Sequence, residues 1–389
     1  MNSTRITKSN CKLFIKFKFY KNIKRLKLKI FVFFSALLFS GCYSFEQGYG
    51  QVSLFLKQKP IETVIQENKE TKDRIDKLKL VKPVLEYAKS EIGLTPGKSY
   101  QKYISLDSPY VSWIVQASDK RSLKLKTWWF PIVGKQPYLG FFDKDKALKQ
   151  RELLISEGYD TVTGGVSAFS LLGYFPDPLY SSMLDQYSIT EFIETLIHES
   201  VHRTIYVPNY YSFNENLADF IAKRATTQFL KLHPELNQDS NKYIEEYKKH
   251  REAQKKFQEY LLKVREELNN FYNIAQNNDE FKNESIFLSE REIKFNQISK
   301  DYKTFMNGVD IGTSYEYSFQ KGKINNAVIL GYSIYEAKQE PLEKALQNAG
   351  GNLKQMLKNL EVCLSKSPQD EADLWQKVEG CLISKEQIK

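Results

Sequence analysis

The chain has 389 residues, enough to bury a sizeable core and to form more than one lobe. Its net charge of +10 points at first to a nucleic-acid or membrane surface, but ten of the 57 basic residues crowd before Gly41 with no acidic residue among them, and the other 47 are balanced by 47 acidic ones. A basic binding face is thereby excluded for the body of the protein, and with it nucleic acid as a partner.

The basic segment ends at Lys29 and is followed by the apolar run Ile30 to Phe39. That run is too short to span a bilayer comfortably and has the length of a signal-peptide core. Ser40-Gly41-Cys42 then resembles a bacterial lipobox, with Phe39 where Leu is usual and Leu38 beside it. Residues 1–41 read as a lipoprotein signal, and Cys42 as the residue that is lipidated and tethers the mature chain to a membrane. An uncleaved signal anchor is the alternative. Tyr43 is not the Asp of inner-membrane retention, so the expected place is the outer membrane, facing the periplasm. In such an oxidising compartment Cys363 and Cys381 can pair; their spacing fits no zinc motif, and two free thiols are the other reading.

Residues 43–60 form a short lead-in closed by Pro60, and residues 61–93 predict two charged helices. From Tyr100 the pattern turns to strand, with β-branched and aromatic runs at Val111–Val115, Trp128–Val133 and Tyr138–Phe142. A helix is expected over Lys144–Gly158 and a strand over Asp160–Ser170. Ser188 and Glu191 form a capping box, and Ile189, Phe192, Ile193, Leu196 and Ile197 supply an apolar stripe behind it. Pro208 stops that helix, and a second begins near Ser212 and runs to about Leu232. Phe257, Leu261, Val264, Leu268 and Phe271, answered by Phe295, Ile298, Tyr302 and Phe305, predict a long antiparallel helical hairpin. It reads as a structural arm or, alternatively, as a docking surface for a partner. Asn325 to Ile383 is helical, with a break at Gly350-Gly351.

The chemistry centres on His198-Glu199-Ser200-Val201-His202. Residues four apart share one helical face, so His198 and His202 can grip one Zn²⁺. A catalytic zinc takes three protein ligands and keeps one position open. Glu215 on the next helix is the third candidate. Asp219, one turn further, is placed to accept the second N–H of a motif histidine and fix its tautomer. Glu199 is the expected general base, taking the proton of a water acidified by the metal. Tyr206, Tyr332 and Tyr335 are candidates for oxyanion stabiliser, with Tyr335 preferred. Two competing readings stand beside these. The histidines could belong to an ordinary charged helix face, and Ser212 with Glu215 could form a second capping box. His233 and His250 fit no ligand spacing and are expected to face solvent. Gly164, Gly165, Val166, Ser167 and Ala168 lie where a strand could pair with a peptide backbone, or could be plain core.

Glu-x-x-x-Asp after H-E-x-x-H is similar to the gluzincin peptidases. A wider pattern, from Thr127-Trp128-Trp129-Phe130-Pro131 and Pro137 to Asp143 through Val166 to Phe175, Asp177-Pro178-Leu179, the zinc motif, Phe213-Asn214-Glu215 and Asn325-Asn326-Ala327, resembles the bacterial putative aminopeptidase family over about residues 43–365. That resemblance implies a zinc-dependent envelope lipoprotein that cleaves peptides. Arg203 stands where members often have Gln, a change expected to bear on the substrate cleft. The expected fold is α+β and helix-dominated, a zincin-like metallopeptidase with a small sheet. Its regions are a catalytic region at 42–235, a helical hairpin arm at 236–310 and a C-terminal helical region at 311–389. The expected function is a zinc aminopeptidase. An envelope zinc endopeptidase, or a non-catalytic lipoprotein working through its helical arm, are the alternatives.

Overall fold

In the computed structural model the described residues are 54, 56–130, 134–168, 176–233, 242–310, 313–320, 322–332 and 339–381. The signal segment with Cys42, and Tyr335, lie outside them. Two compact units divide the chain at Lys57, and the second, 58–389, holds almost all the described residues.

That unit is α+β and dominated by helices. β1 (Lys59–Pro60) leads into α1 (Ile61–Glu67) and α2 (Lys72–Tyr87), which runs on through one π-helical turn to Ile92. Five short strands follow: β2 (Lys102–Ile104), β3 (Ser112–Ser118), β4 (Trp128–Phe130), β5 (Gly134–Gln136) and β6 (Leu139–Phe141). Then come α3 (Lys144–Ser156), β7 (Asp160–Val166), β8 (Leu179–Tyr180) and α4 (Ser181–Gln186). α5 (Ile189–Thr204) and α6 (Tyr211–Leu232) carry the motif residues. α7 (Lys242–Asn277) and α8 (Glu284–Phe305) form the arm, and α9 (Thr313–Ser318), α10 (Asn326–Tyr332), α11 (Gln339–Asn348), α12 (Leu353–Cys363) and α13 (Glu371–Glu379) end the chain. Among the described residues no helix is long and apolar enough to cross a membrane.

Among the described residues the main sheet is antiparallel with order β6-β3-β7, which puts β7 at its edge. Its register sets Ile114 opposite Gly164 and Gln116 opposite Val162. Alternation then sorts the sheet into two faces. The face carrying Trp113, Val115 and Ala117 is covered by α3, whose Lys144 ammonium lies 4.9 Å from the Trp113 ring centre. The face carrying Ile114, Gln116 and Val162 looks towards α10 and α6. β7 ends at Val166, short of the Ser170 expected from its sequence. Beyond it the Ser167 carbonyl accepts the Ser182 hydroxyl at 2.7 Å, which turns the backbone into the fold and away from strand pairing.

α5 begins as its sequence dictates. The Ser188 hydroxyl accepts the Glu191 amide and the Glu191 carboxylate accepts the Ser188 amide, a reciprocal cap. Phe192, Ile193, Leu196, Ile197 and Val201 are fully buried against α2 and α6. Each such side chain contributes about 1.5–3 kcal/mol of burial, which holds the helix in place.

The arm is an antiparallel pair joined by a 3₁₀ turn at Asp279–Lys282. Phe257, Leu261, Val264 and Leu268 meet Phe287, Phe295, Ile298 and Tyr302 in one apolar cluster. The cluster also takes in Phe319 and Ile329, so the near part of the pair is packed into the body and does not project freely. Asp160 at the start of β7 and Arg291 on α8 form a buried ion pair, and the Asn326 amide donates to the same Asp160 carboxylate at 3.0 Å. A disulfide joins Cys363 to Cys381, tying the end of α12 to the chain just after α13.

Candidate metal centre

His198 and His202 occupy the last two turns of α5 and bring their Nε2 atoms within 3.0 Å of each other. The loop after α5 returns the chain to the same place. The Asn214 side chain fixes it from both ends: its Oδ1 accepts the Val207 amide at 2.8 Å and its Nδ2 donates to the Val207 carbonyl at 2.9 Å. Asn209, at φ +73°, turns the loop and accepts the Lys135 amide of the β4–β5 hairpin at 3.3 Å. α6 then starts at Tyr211, which puts Glu215 one turn inside the helix and buried. Its Oε2 is 3.4 Å from His198 Nε2 and its Oε1 is 3.3 Å from His202 Nε2.

These spacings match a metal site. Four ligands at 2.0–2.1 Å around a tetrahedral zinc stand about 3.3–3.4 Å apart along each edge. The two histidine–carboxylate spans fall on that value, and the histidine pair at 3.0 Å lies just inside it. Two imidazoles and one carboxylate are also the donor set of a catalytic rather than a closed structural zinc. Among the described residues they are the one cluster of such donors.

The electrostatics agree with this geometry. Burial alone would push the Glu215 carboxyl up, yet the two imidazoles beside it hold it far below the usual carboxylate range. Burial would likewise lower His198, but the Glu215 carboxylate overrides it and pushes the imidazole up to about 9. A metal would take the place of that proton. Glu199 has no such partner: burial pushes its carboxyl up, and the histidines only partly oppose the shift. A raised carboxyl beside the donor cluster is suited to accepting and passing on a proton.

A model of the family described as "Putative aminopeptidase" matches residues 42–374. The chain belongs to this family. The description names a peptide-cleaving activity. No curated protein and no solved structure matches the chain.

The other residues singled out in the sequence fall in various places. Asp219 does not reach a motif histidine. Its carboxylate pairs with Lys223 one turn along α6, and His202 Nδ1 is left buried without a hydrogen-bond partner. Asp219 acts on His198 through its charge alone. Ser212 does not cap α6, because the helix begins one residue before it, which frees Glu215 for the histidines. Arg203 sits beside Asp177. Its guanidinium lies 3.6 Å from the fully buried Asp177 carboxylate and packs over Gly97, whose φ of +61° suits glycine. His250 is half-buried beside Glu191, and His233 lies against the Phe229 ring.

Among the candidate tyrosines, Tyr206 stands beside the cluster, its ring 6.4 Å from that of His202 and its hydroxyl accepting the Gln136 amide at 3.3 Å. Tyr332 is 2.9 Å from the Ser318 hydroxyl, inside the aromatic cluster. Gly164, Gly165 and Val166 belong to the edge strand, while Ser167 and Ala168 lie past its end. Two features had no sequence signal. Tyr100 is buried at φ +58°, close enough for Glu199 and Asp177 to raise its phenol further than burial alone. Glu194, one turn before His198, accepts the Tyr247 hydroxyl and links α5 to the arm.

Proposed function

We propose that this protein is a zinc-dependent metallopeptidase acting as an aminopeptidase at the bacterial cell envelope, anchored in the outer membrane through a lipid on Cys42. The observation that carries the reading is the convergence of His198, His202 and Glu215 at the edge lengths of a zinc tetrahedron. When bound, zinc supplies a Lewis acid that polarises a peptide carbonyl and makes a water more acidic.

His198, His202 and Glu215 would hold that ion. Glu199 takes the proton of the attacking water and returns it to the leaving nitrogen, a role its raised carboxyl supports. Tyr206, held by Gln136 beside His202, offers a phenol for steadying the oxygen that gains charge. β7 offers a sheet edge along which a peptide backbone can add as a further strand.

The test combines metal analysis with two peptides that differ only in an N-terminal acetyl group. The expected result is about one zinc per chain and cleavage of the free peptide alone. Equal cleavage of both would make the protein an endopeptidase. Absence of zinc after loading would remove the metallopeptidase reading.

A further inference from the structure

Along α6, the helix that carries Glu215, lies a cavity of about 390 Å³, inside the roughly 300–1,000 Å³ range of small-molecule pockets. One wall is α6. Tyr211, Asp219 and Lys223 line it, one turn before Glu215 and one and two turns after. The third metal-ligand candidate therefore sits within the span of the cavity's own wall. The opposite wall is the sheet face carrying Ile114 and Val162. Gly164, opposite Ile114 on that face, would meet nothing within 4 Å if it carried a Cβ. The cavity reaches an aromatic wall of Phe257, Tyr315 and Tyr332, whose rings lie 4.8–5.4 Å apart.

We infer that this cavity receives the substrate side chain next to the scissile bond and selects large apolar side chains, aromatic or branched aliphatic. The inference rests on the peptidase reading. Its chemistry follows from the walls: Ile114 and Val162 flank the neutral Gln116 on the sheet side, the aromatic rings stand with the neutral Gln254 and Gln258 against the arm, and on α6 one carboxylate and one ammonium cancel each other, so the lining is mostly apolar and carries no net charge. A side chain without charge fills such a space and leaves no polar group of its own unpaired.

The test measures binding, not turnover. Zinc-loaded protein is titrated by calorimetry with the hydroxamates of phenylalanine, leucine, lysine and glycine. The phenylalanine and leucine compounds are expected to bind at least about tenfold tighter than the glycine one, the scale on which apolar pockets discriminate. Val328→Trp, which fills the cavity from α10, is expected to abolish that gain, with zinc content and thermal unfolding as controls. If the variant does not fold, the wild-type series still decides. Equal binding of all four compounds overturns the pocket and leaves the zinc reading standing. Tightest binding of the lysine compound overturns the apolar assignment. No binding together with no zinc uptake overturns both.

Discussion

Glu215 Oε1 lies 3.3 Å from His202 Nε2 across the gap between two helices, so the third donor of the candidate site comes from a different element than the first two. Replacing Glu215 with Ala should therefore remove a ligand while leaving α5 intact. Zinc affinity, measured by competition with a chelator, is expected to fall by more than the roughly 10–100-fold typical of losing an outer partner. A fall of less than tenfold would show that Glu215 does not touch the metal.

Glu199→Gln preserves shape and removes the base. The variant should keep about one zinc, and peptide hydrolysis should fall by about 10²–10⁴-fold. Wild-type turnover in a variant with full zinc content would take the base role away from Glu199.

The metal-free protein should respond to pH in a defined way. His198 is raised from 6.5 to about 9, so its contribution to stability is complete below about 6.5 and is lost as pH rises through 9. Glu215 is lowered from 4.5, so its contribution is complete above about 4.5 and is lost as pH falls below that. The chelator-treated protein should thus be most stable between about 4.5 and 6.5. Zinc uptake near neutral pH should release a proton and tighten as pH rises. Calorimetry in buffers of different ionisation enthalpy counts that proton, and a count of zero would contradict the ion pair.

Arg291→Ala leaves the Asp160 carboxylate buried and unpaired. Breaking such a pair costs about 3–5 kcal/mol, so denaturant unfolding should shift by that order while zinc content is unchanged. A shift below about 1 kcal/mol would mean that water reaches Asp160 in solution.

Cys363 and Cys381 are 18 residues apart in sequence. A loop of that length implies that Cys363→Ser with Cys381→Ser loses about 3 kcal/mol. Identical unfolding of the bonded and the substituted protein would place the effect of the bond outside the unfolded chain.

Much of the site was legible in the sequence because its signals are local. The Ser188–Glu191 cap and the four-residue histidine spacing depend on helical geometry alone, and Glu215 needed only a short loop to return its helix to the histidines. The hairpin seam from Phe257 to Phe305 follows from the same periodicity. What was not legible depends on competition or distance. Asp219 had two partners within reach, and Lys223 on its own helix prevails. Ser212 lost its capping role to a helix start one residue earlier. Arg203 meets Asp177 and Tyr100 meets Glu199 only through loops that no periodic pattern describes. The Asn214 bridge to Val207 likewise joins residues whose loop geometry appears only in the folded chain.

Two adjacent glycines give β7 an unequal pair of faces. A side chain at Gly165 would strike the Tyr110 ring, whereas Gly164 looks into open space. An extended peptide laid along this strand would be screened at every second residue only. Positions facing Tyr110 would be gated by bulk, and those between them would be free to vary, so a list of cleaved peptides should show a preference that skips.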